Sequence, residues 1–63
     1  MDIYELKKRA KEGDFVAQYE LGCCYQDGLG VQKDLDKAIY WYKESASQGN
    51  QEAQIALEDI GLN

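Results

Sequence analysis

The chain repeats itself at a distance of 36 residues. The segment AKEGDFVAQYEL, which begins at Ala10, aligns with ASQGNQEAQIAL, which begins at Ala46. Eight of the 22 residue pairs formed by 3–24 and 39–60 are identical, where about one or two matches are expected from ordinary residue frequencies. A period of this length is typical of solenoid proteins built from pairs of helices. The repeat therefore predicts an all-α antiparallel stack of helices.

Hydrophobic spacing and helix-end residues locate the helices. Gly13 and Gly49 are typical of helix C-termini, and Asp14, Asp34 and Asn50 are typical of helix N-caps. No segment alternates as a strand does. We predict four helices, near 2–12, 14–27, 34–48 and 50–60. The positions expected to face the core are Ile3, Leu6, Ala10, Ala17, Leu21, Cys24, Tyr25, Leu35, Ala38, Ile39, Tyr42, Ala46, Ala53, Leu57 and Ile60.

The glycine-containing segment YQDGLGVQKD, residues 25–34, has three possible interpretations: a phosphate loop, a calcium loop or a turn. A phosphate loop needs a preceding strand and a Lys-Ser or Lys-Thr pair that opens a helix, and neither is present. A calcium loop needs acidic residues at alternate positions ahead of its glycine, where this chain has Cys23 and Tyr25. We predict a hairpin connection without a bound ion or phosphate, in which Leu29 and Val31 contact the core.

Composition excludes several classes of protein. The net charge is −5 with a pI near 4.4, which argues against a nucleic-acid partner. Four of the seven basic residues lie in KKRAK, residues 7–11, and are interpreted as a solvated helix face rather than a binding patch. No apolar run has the length of a signal peptide or a membrane span, so a soluble cytoplasmic protein is expected.

Adjacent Cys23 and Cys24 point about 100° apart on a helix, so they are expected to be reduced thiols in a reducing compartment. Cys24 is expected to be the more buried, because it shares a helix face with Ala17 and Leu21.

The sequence contains no catalytic or metal-binding pattern. There is no histidine, and neither Ser45 nor Ser47 lies in a Ser-x-x-Lys motif. Two adjacent thiols without another soft ligand do not make a zinc site. The acidic pairs 34/36 and 58/59 lie at or near helix ends, where capping or solvation explains them better than acid–base catalysis. We expect no enzyme activity, no cofactor and no metal.

The second and third predicted helices resemble the Sel1-like repeat, a relative of the tetratricopeptide repeat. The resemblance rests on Ala17, Leu21, Gly22, Tyr25, Gly28, Gly30, Val31, Asp34, Lys37, Ala38, Trp41, Tyr42, Ala46 and Gly49. Ser45 departs from the alanine usual in the family, a change between small residues. The resemblance implies a single domain over 1–63, with one complete unit at about 14–49 between two half-units. It also implies a module that binds a protein or peptide.

Three residues of this pattern carry a packing argument. Gly22 in mid-helix costs about 1 kcal/mol relative to alanine, which indicates close approach of a neighbouring helix. Trp41 and Tyr42 are interpreted as core residues rather than a ligand cage.

The binding residues implied by the resemblance form a stripe on the first helix of each unit. They are Val16, Tyr19, Cys23 and Gln26, continued by Glu52, Ile55 and Asp59. Tyr19 and Cys23 are equally compatible with simple burial. Phe15 and Tyr40 fall outside the core spacing and are predicted to be exposed contacts.

Two functions of different classes follow from these features. One is a small adaptor that tethers a peptide or folded partner. The other is an acidic inhibitor that blocks the basic face of a larger enzyme or nucleic-acid-binding complex.

The ends of the stack suggest an assembly. The first helix carries Ile3, Tyr4 and Leu6, and the tail carries Ile60 and Leu62, so neither end has the strongly polar character of a capping helix. We expect one end to be covered by a second copy, in a homodimer, or by the partner.

Overall fold

The computed structural model describes residues 2–61, in which four α-helices follow one another. They are α1 (Ile3–Lys11), α2 (Phe15–Asp27), α3 (Leu35–Ser47) and α4 (Gln51–Ile60). Each helix packs chiefly on the next helix in chain order, and residues 2–61 contain no strand. The predicted all-α stack is confirmed, and every helix boundary lies within one residue of its predicted position.

Every helix begins with a side chain that caps its backbone amides. Asp2, Asp14, Asp34 and Asn50 each accept a hydrogen bond from an N–H two or three residues ahead. Gly13 and Gly49 have φ angles of 98° and 91°, which an L-residue rarely adopts. The structure thus confirms the predicted helix-end residues, which are Gly13, Asp14, Asp34, Gly49 and Asn50.

The segment after α2 is the predicted hairpin connection. Gly28 ends α2 in the left-handed conformation, and the N–H of Asp34 donates to the Tyr25 carbonyl at 2.9 Å. Val31 is half-buried against the core, as predicted. The prediction that Leu29 contacts the core is wrong, because its side chain is exposed. Leu29 lies between two left-handed glycines, and the tight turn that they make carries it away from the helices.

Helices α2 and α3 approach each other closely at Gly22, as predicted. A Cβ atom on Gly22 would stand 2.6 Å from Cδ1 and Cε1 of Tyr42 and 3.2 Å from the carbonyl oxygen of Ala38. Tyr42 is the largest fully buried side chain of the described residues. Only a residue without a side chain allows the Tyr42 ring to lie against the backbone of α2.

Most of the predicted core is buried. The buried apolar residues are Leu6, Ala10, Ala17, Leu21, Tyr25, Ala38, Tyr42, Ala53 and Leu57. Trp41 only packs against the edge of this core. Leu35 was expected in the core and is 47% exposed, so that prediction is wrong. Helical spacing gives the direction of a side chain, but it does not show whether a neighbouring helix extends far enough to cover it.

Two buried polar side chains join the helices at the end of the stack opposite the hairpin. Gln18 donates through Nε2 to the Ala10 carbonyl at 3.0 Å and accepts through Oε1 from Gln48 Nε2 at 2.8 Å. Ser45 Oγ donates to the Phe15 carbonyl at 2.6 Å and accepts from Asn50 Nδ2 at 2.8 Å. The burial of both residues is therefore compensated by hydrogen bonds.

The ends of the stack are less apolar than the sequence indicated. Leu6 is buried, and Ile3 and Ile60 are half-buried against the core, whereas Leu62 lies outside the described residues. The exposed positions of α4 are polar apart from Ile55, and they are Gln51, Glu52, Gln54, Glu58 and Asp59. The expectation that neither end is polar is therefore wrong for α4.

We expect Gly22→Leu to lower the free energy of unfolding by about 3 kcal/mol, because the new side chain must displace the Tyr42 ring or separate α2 from α3. The control is Glu20→Leu, which places the same side chain at an exposed position of α2. Thermal and denaturant unfolding measure the free energy of unfolding of both variants. Equal stability of the two variants would contradict the packing account.

Candidate protein-interaction face

Three residues of the predicted α2 stripe surround the Tyr42 side chain of α3. The ring centroids of Tyr19 and Tyr42 are 5.8 Å apart at an interplanar angle of 41°. The Tyr42 hydroxyl donates to Oε1 of Gln26 at 2.6 Å and lies 3.5 Å from Sγ of Cys23. We call these four residues, Tyr19, Cys23, Gln26 and Tyr42, the Tyr42 cluster. Contacts with the buried Tyr42 thus hold the side chains of Tyr19, Cys23 and Gln26 in place.

The stripe residues of the Tyr42 cluster are neither fully buried nor fully free. Tyr19, Cys23 and Gln26 each keep a part of their surface exposed, and Tyr19 and Cys23 also pack against the core. Tyr19 and Cys23 are therefore partly buried, and their contact with a partner stays a prediction.

One residue of the α4 part of the predicted stripe, Glu52, acts electrostatically on this cluster. The Cys23 thiol, burial and the Glu52 carboxylate raise the pKa of Tyr19, in that order of size. Val16 on α2 is 51% exposed and Ile55 on α4 is 56% exposed. We use the term α2–α4 face for Val16, Tyr19, Cys23, Gln26, Glu52 and Ile55, together with the exposed Asp59.

Phe15 and Tyr40 are exposed, as predicted, but they differ in position. Phe15 begins α2 next to Val16, and its carbonyl accepts from Ser45. Tyr40 stands edge-on to Trp41 with centroids 4.9 Å apart and lines a groove of about 440 Å³ together with residues of α1 such as Lys11. Phe15 therefore borders the α2–α4 face, whereas Tyr40 belongs to a separate groove. Their contact with a partner stays a prediction.

Sequence reasoning missed two features of the surface. Tyr42 was predicted as core, but its hydroxyl also organises the side chains of the α2–α4 face. A second groove of about 430 Å³ brings together Lys7, Lys33 and Lys37, and the Lys37 ammonium stands 5.5 Å from the centre of the Tyr25 ring. These lysines belong to α1, the hairpin connection and α3, so only the folded chain places them side by side.

The two cysteines are free and half-buried. Burial is the main cause that raises the pKa of Cys24, and the neighbouring Cys23 adds to it. Which of the two thiols is the more buried stays a prediction. Within residues 2–61, no group of three or more His, Cys, Asp or Glu side chains could hold a metal ion. The helices of this part of the chain are also too short and too polar to span a membrane.

Burial of Tyr42 predicts a pH dependence of stability. Burial, followed by the effect of Cys23, raises the pKa of Tyr42 far above its ordinary value. Above about pH 10 the unfolded phenol ionises while the folded one stays protonated, so stability falls as pH rises. The slope contributed by this residue approaches about 1.4 kcal/mol per pH unit.

Denaturant unfolding between about pH 9 and pH 11 measures this slope. We expect Tyr42→Phe to lose stability less steeply with pH than the wild type, and Tyr4→Phe, at a side chain that is 81% exposed, to keep the wild-type slope. Identical slopes in the wild type and Tyr42→Phe would show that the phenol is not held in its protonated form.

The family model described as Sel1 repeat matches residues 16–50. This segment contains α2 apart from its first residue, the hairpin connection and the whole of α3. No solved structure matches the chain.

Several curated proteins are similar to the chain. DAP3-binding cell death enhancer 1 of Rattus norvegicus is 43% identical over 51 residues, which are 81% of this chain and 10% of that protein. A sel1-like repeat-containing protein of Acanthamoeba polyphaga mimivirus is 47% identical over 45 residues, 71% of this chain and 8% of that protein.

A third relative extends the similarity over most of the chain. The ERAD-associated E3 ubiquitin-protein ligase component HRD3A of Arabidopsis thaliana is 30% identical over 60 residues, 94% of this chain and 9% of that protein. The chain thus spans a tenth or less of the length of these three relatives. Because the Sel1 repeat model matches the helix pair formed by α2 and α3, the chain belongs to the Sel1 repeat family.

Proposed function

We propose that the chain is a non-enzymatic protein–protein interaction module, a small adaptor that binds a protein or peptide on its α2–α4 face. The observation that carries this proposal is the combination of exposed Val16 and Ile55 with the Tyr42 cluster. Exposed apolar side chains next to a tyrosine with one apolar face and one polar end are typical of interface centres.

Preorganisation of the face supports the same conclusion. Tyr42 is buried and hydrogen-bonded to Gln26, and its ring contacts the ring of Tyr19. Side chains that are already held in place lose little conformational entropy when a partner binds. Tyr19 is therefore the residue that we expect to contribute most to affinity.

The relatives support an interaction function in general terms. One is named as DAP3-binding, and another is named as a component of a ubiquitin ligase. Each shares only about a tenth of its length with this chain, so the partner of this chain is a separate question. We also propose one complete unit at about 14–49 between two half-units, an organisation that the close packing of α2 on α3 supports.

The second candidate function is an acidic inhibitor of a larger enzyme or nucleic-acid-binding complex. The net charge of −5 favours it, because an acidic surface is attracted to the basic face of such a complex. The two candidates use the same face and differ in their effect on the partner. An inhibitor abolishes the activity of one enzyme, whereas an adaptor leaves the activity of its partner unchanged. For either candidate we propose a cytoplasmic location, with which two free thiols agree.

The homodimer stays a prediction. Tyr4 on α1 and Ile55 on α4 are exposed apolar side chains that a second copy could cover. The polar residues around Ile55 on the outer side of α4 leave little apolar area for such a contact.

Site-specific photo-crosslinking in the cells that produce the protein tests the proposed function. We expect benzoylphenylalanine at position 55 to give a discrete covalent adduct with one protein, because Ile55 lies on the α2–α4 face. The matched control is the same probe at Tyr4, an even more exposed position on α1. Adducts that form equally at both positions, or only at position 4, would show that the face is not the binding surface. An activity assay of the captured protein then separates an adaptor from an inhibitor.

A further inference from the structure

Charge is divided between the helices of this protein. Helices α2 and α4 contain no lysine or arginine, and their five acidic residues are Glu20, Asp27, Glu52, Glu58 and Asp59. All seven basic residues lie elsewhere, on α1, on α3 and in the hairpin connection between α2 and α3. The helices that form the α2–α4 face are therefore uniformly acidic.

The acidic residues of this face have no partner within the described part of the chain. Glu52 and Asp59 lie on the same side of α4 as Ile55, at helical spacing, and are exposed. Asp27 follows Gln26 at the end of α2 and is exposed as well. The one ion pair among residues 2–61 joins Glu5 to Arg9 on α1. The carboxylates around the face are thus neutralised only by solvent and salt.

We infer that the partner on the α2–α4 face is a basic protein segment, in which an apolar side chain is flanked by arginine or lysine. This inference rests on the proposed function and adds the chemical class of the partner. The apolar side chain packs between Val16 and Ile55, the exposed apolar residues of the face. A neighbouring arginine stacks on the exposed part of Tyr19 and pairs with Glu52.

Electrostatics within the face agrees with this assignment. The Glu52 carboxylate acts on the Tyr19 phenol, and the Asp27 carboxylate acts on the Tyr42 phenol, both in the direction that opposes a further negative charge. The same field attracts a cation to the ring of Tyr19. It disfavours an acidic peptide, since like charges that meet across an interface cost several kcal/mol.

Selection of peptides from a random display library on the folded full-length chain tests the inference without knowledge of the natural partner. We expect the enriched peptides to be basic, with an apolar residue between arginines or lysines. Their binding should weaken about tenfold with Glu52→Lys, and it should weaken as salt is raised. It should be lost with Val16→Asp, which places a charge in the apolar part of the face.

The matched control is Glu44→Lys, which makes the same change in net charge. Glu44 is exposed and lines the groove next to Tyr40 and Trp41, away from the α2–α4 face. We expect this variant to bind the selected peptides within about twofold of the wild type. Circular dichroism spectra of all three variants establish that each remains folded.

The possible outcomes separate the inference from the proposed function. Enriched peptides that are neutral or acidic, and that still depend on Val16, would overturn the basic partner and leave the interaction face intact. Equal loss of binding with Glu52→Lys and Glu44→Lys would overturn it too, because the attraction would then reflect net charge alone. Peptides that bind both the Val16→Asp and the Glu52→Lys variants as well as the wild type would contradict the inference and the proposed face together. A selection that enriches no peptide would do the same.

Discussion

The contact between Gly22 and the Tyr42 ring determines how the rest of the structure is arranged. A glycine inside a helix costs about 1 kcal/mol relative to alanine, and here the missing side chain leaves room for the ring of Tyr42 at the surface of α2. The tyrosine is thereby buried almost completely. Its hydroxyl emerges beside Gln26 and Cys23, and its ring lies next to Tyr19. One close approach thus supplies both the centre of the core and the support of the α2–α4 face.

Polar contacts at the opposite end of the stack complement this apolar centre. The hydrogen bonds of Gln18 reach α1 and the residue after α3, and those of Ser45 reach the start of α2 and the N-cap of α4. Ser45 occupies a position at which the family usually has alanine. Its hydroxyl makes two hydrogen bonds there and is only slightly larger than the hydrogen atom that it replaces. A buried hydroxyl with both partners present adds directional specificity at little cost. These contacts add direction to the packing of a core in which four of the nine buried apolar residues are alanine.

Sequence patterns were sufficient for the features that depend on neighbouring residues in the chain. The four helices, the caps Asp14, Asp34 and Asn50 and the role of Gly22 could all be predicted, because each follows from helical spacing or from backbone conformation. Leu35 was assigned wrongly to the core, since spacing does not reveal where a neighbouring helix ends. Leu29 was also assigned wrongly, because the turn between Gly28 and Gly30 carries its side chain away from the helices.

The surface was harder to predict than the helices. The stripe from Val16 to Gln26 was recognised and the exposure of Tyr40 was predicted, but the sequence did not show that Tyr40 lines a separate groove. The supporting role of the Tyr42 hydroxyl depends on a contact between residues 16 positions apart, and the meeting of Lys7 with Lys37 joins two different helices. Such features arise only when the helices pack, so patterns among neighbouring residues of the sequence do not predict them.

The close approach of α2 and α3 can be observed directly in solution by nuclear magnetic resonance. The account predicts nuclear Overhauser effects from the α-protons of Gly22 to the ring protons of Tyr42, and from the Tyr42 ring to the Tyr19 ring. These signals should be among the strongest between the two helices, because the intensity falls steeply with distance. A Tyr42 ring that shows effects only to residues of its own helix would contradict this arrangement, since both the core and the α2–α4 face would then lack their common support.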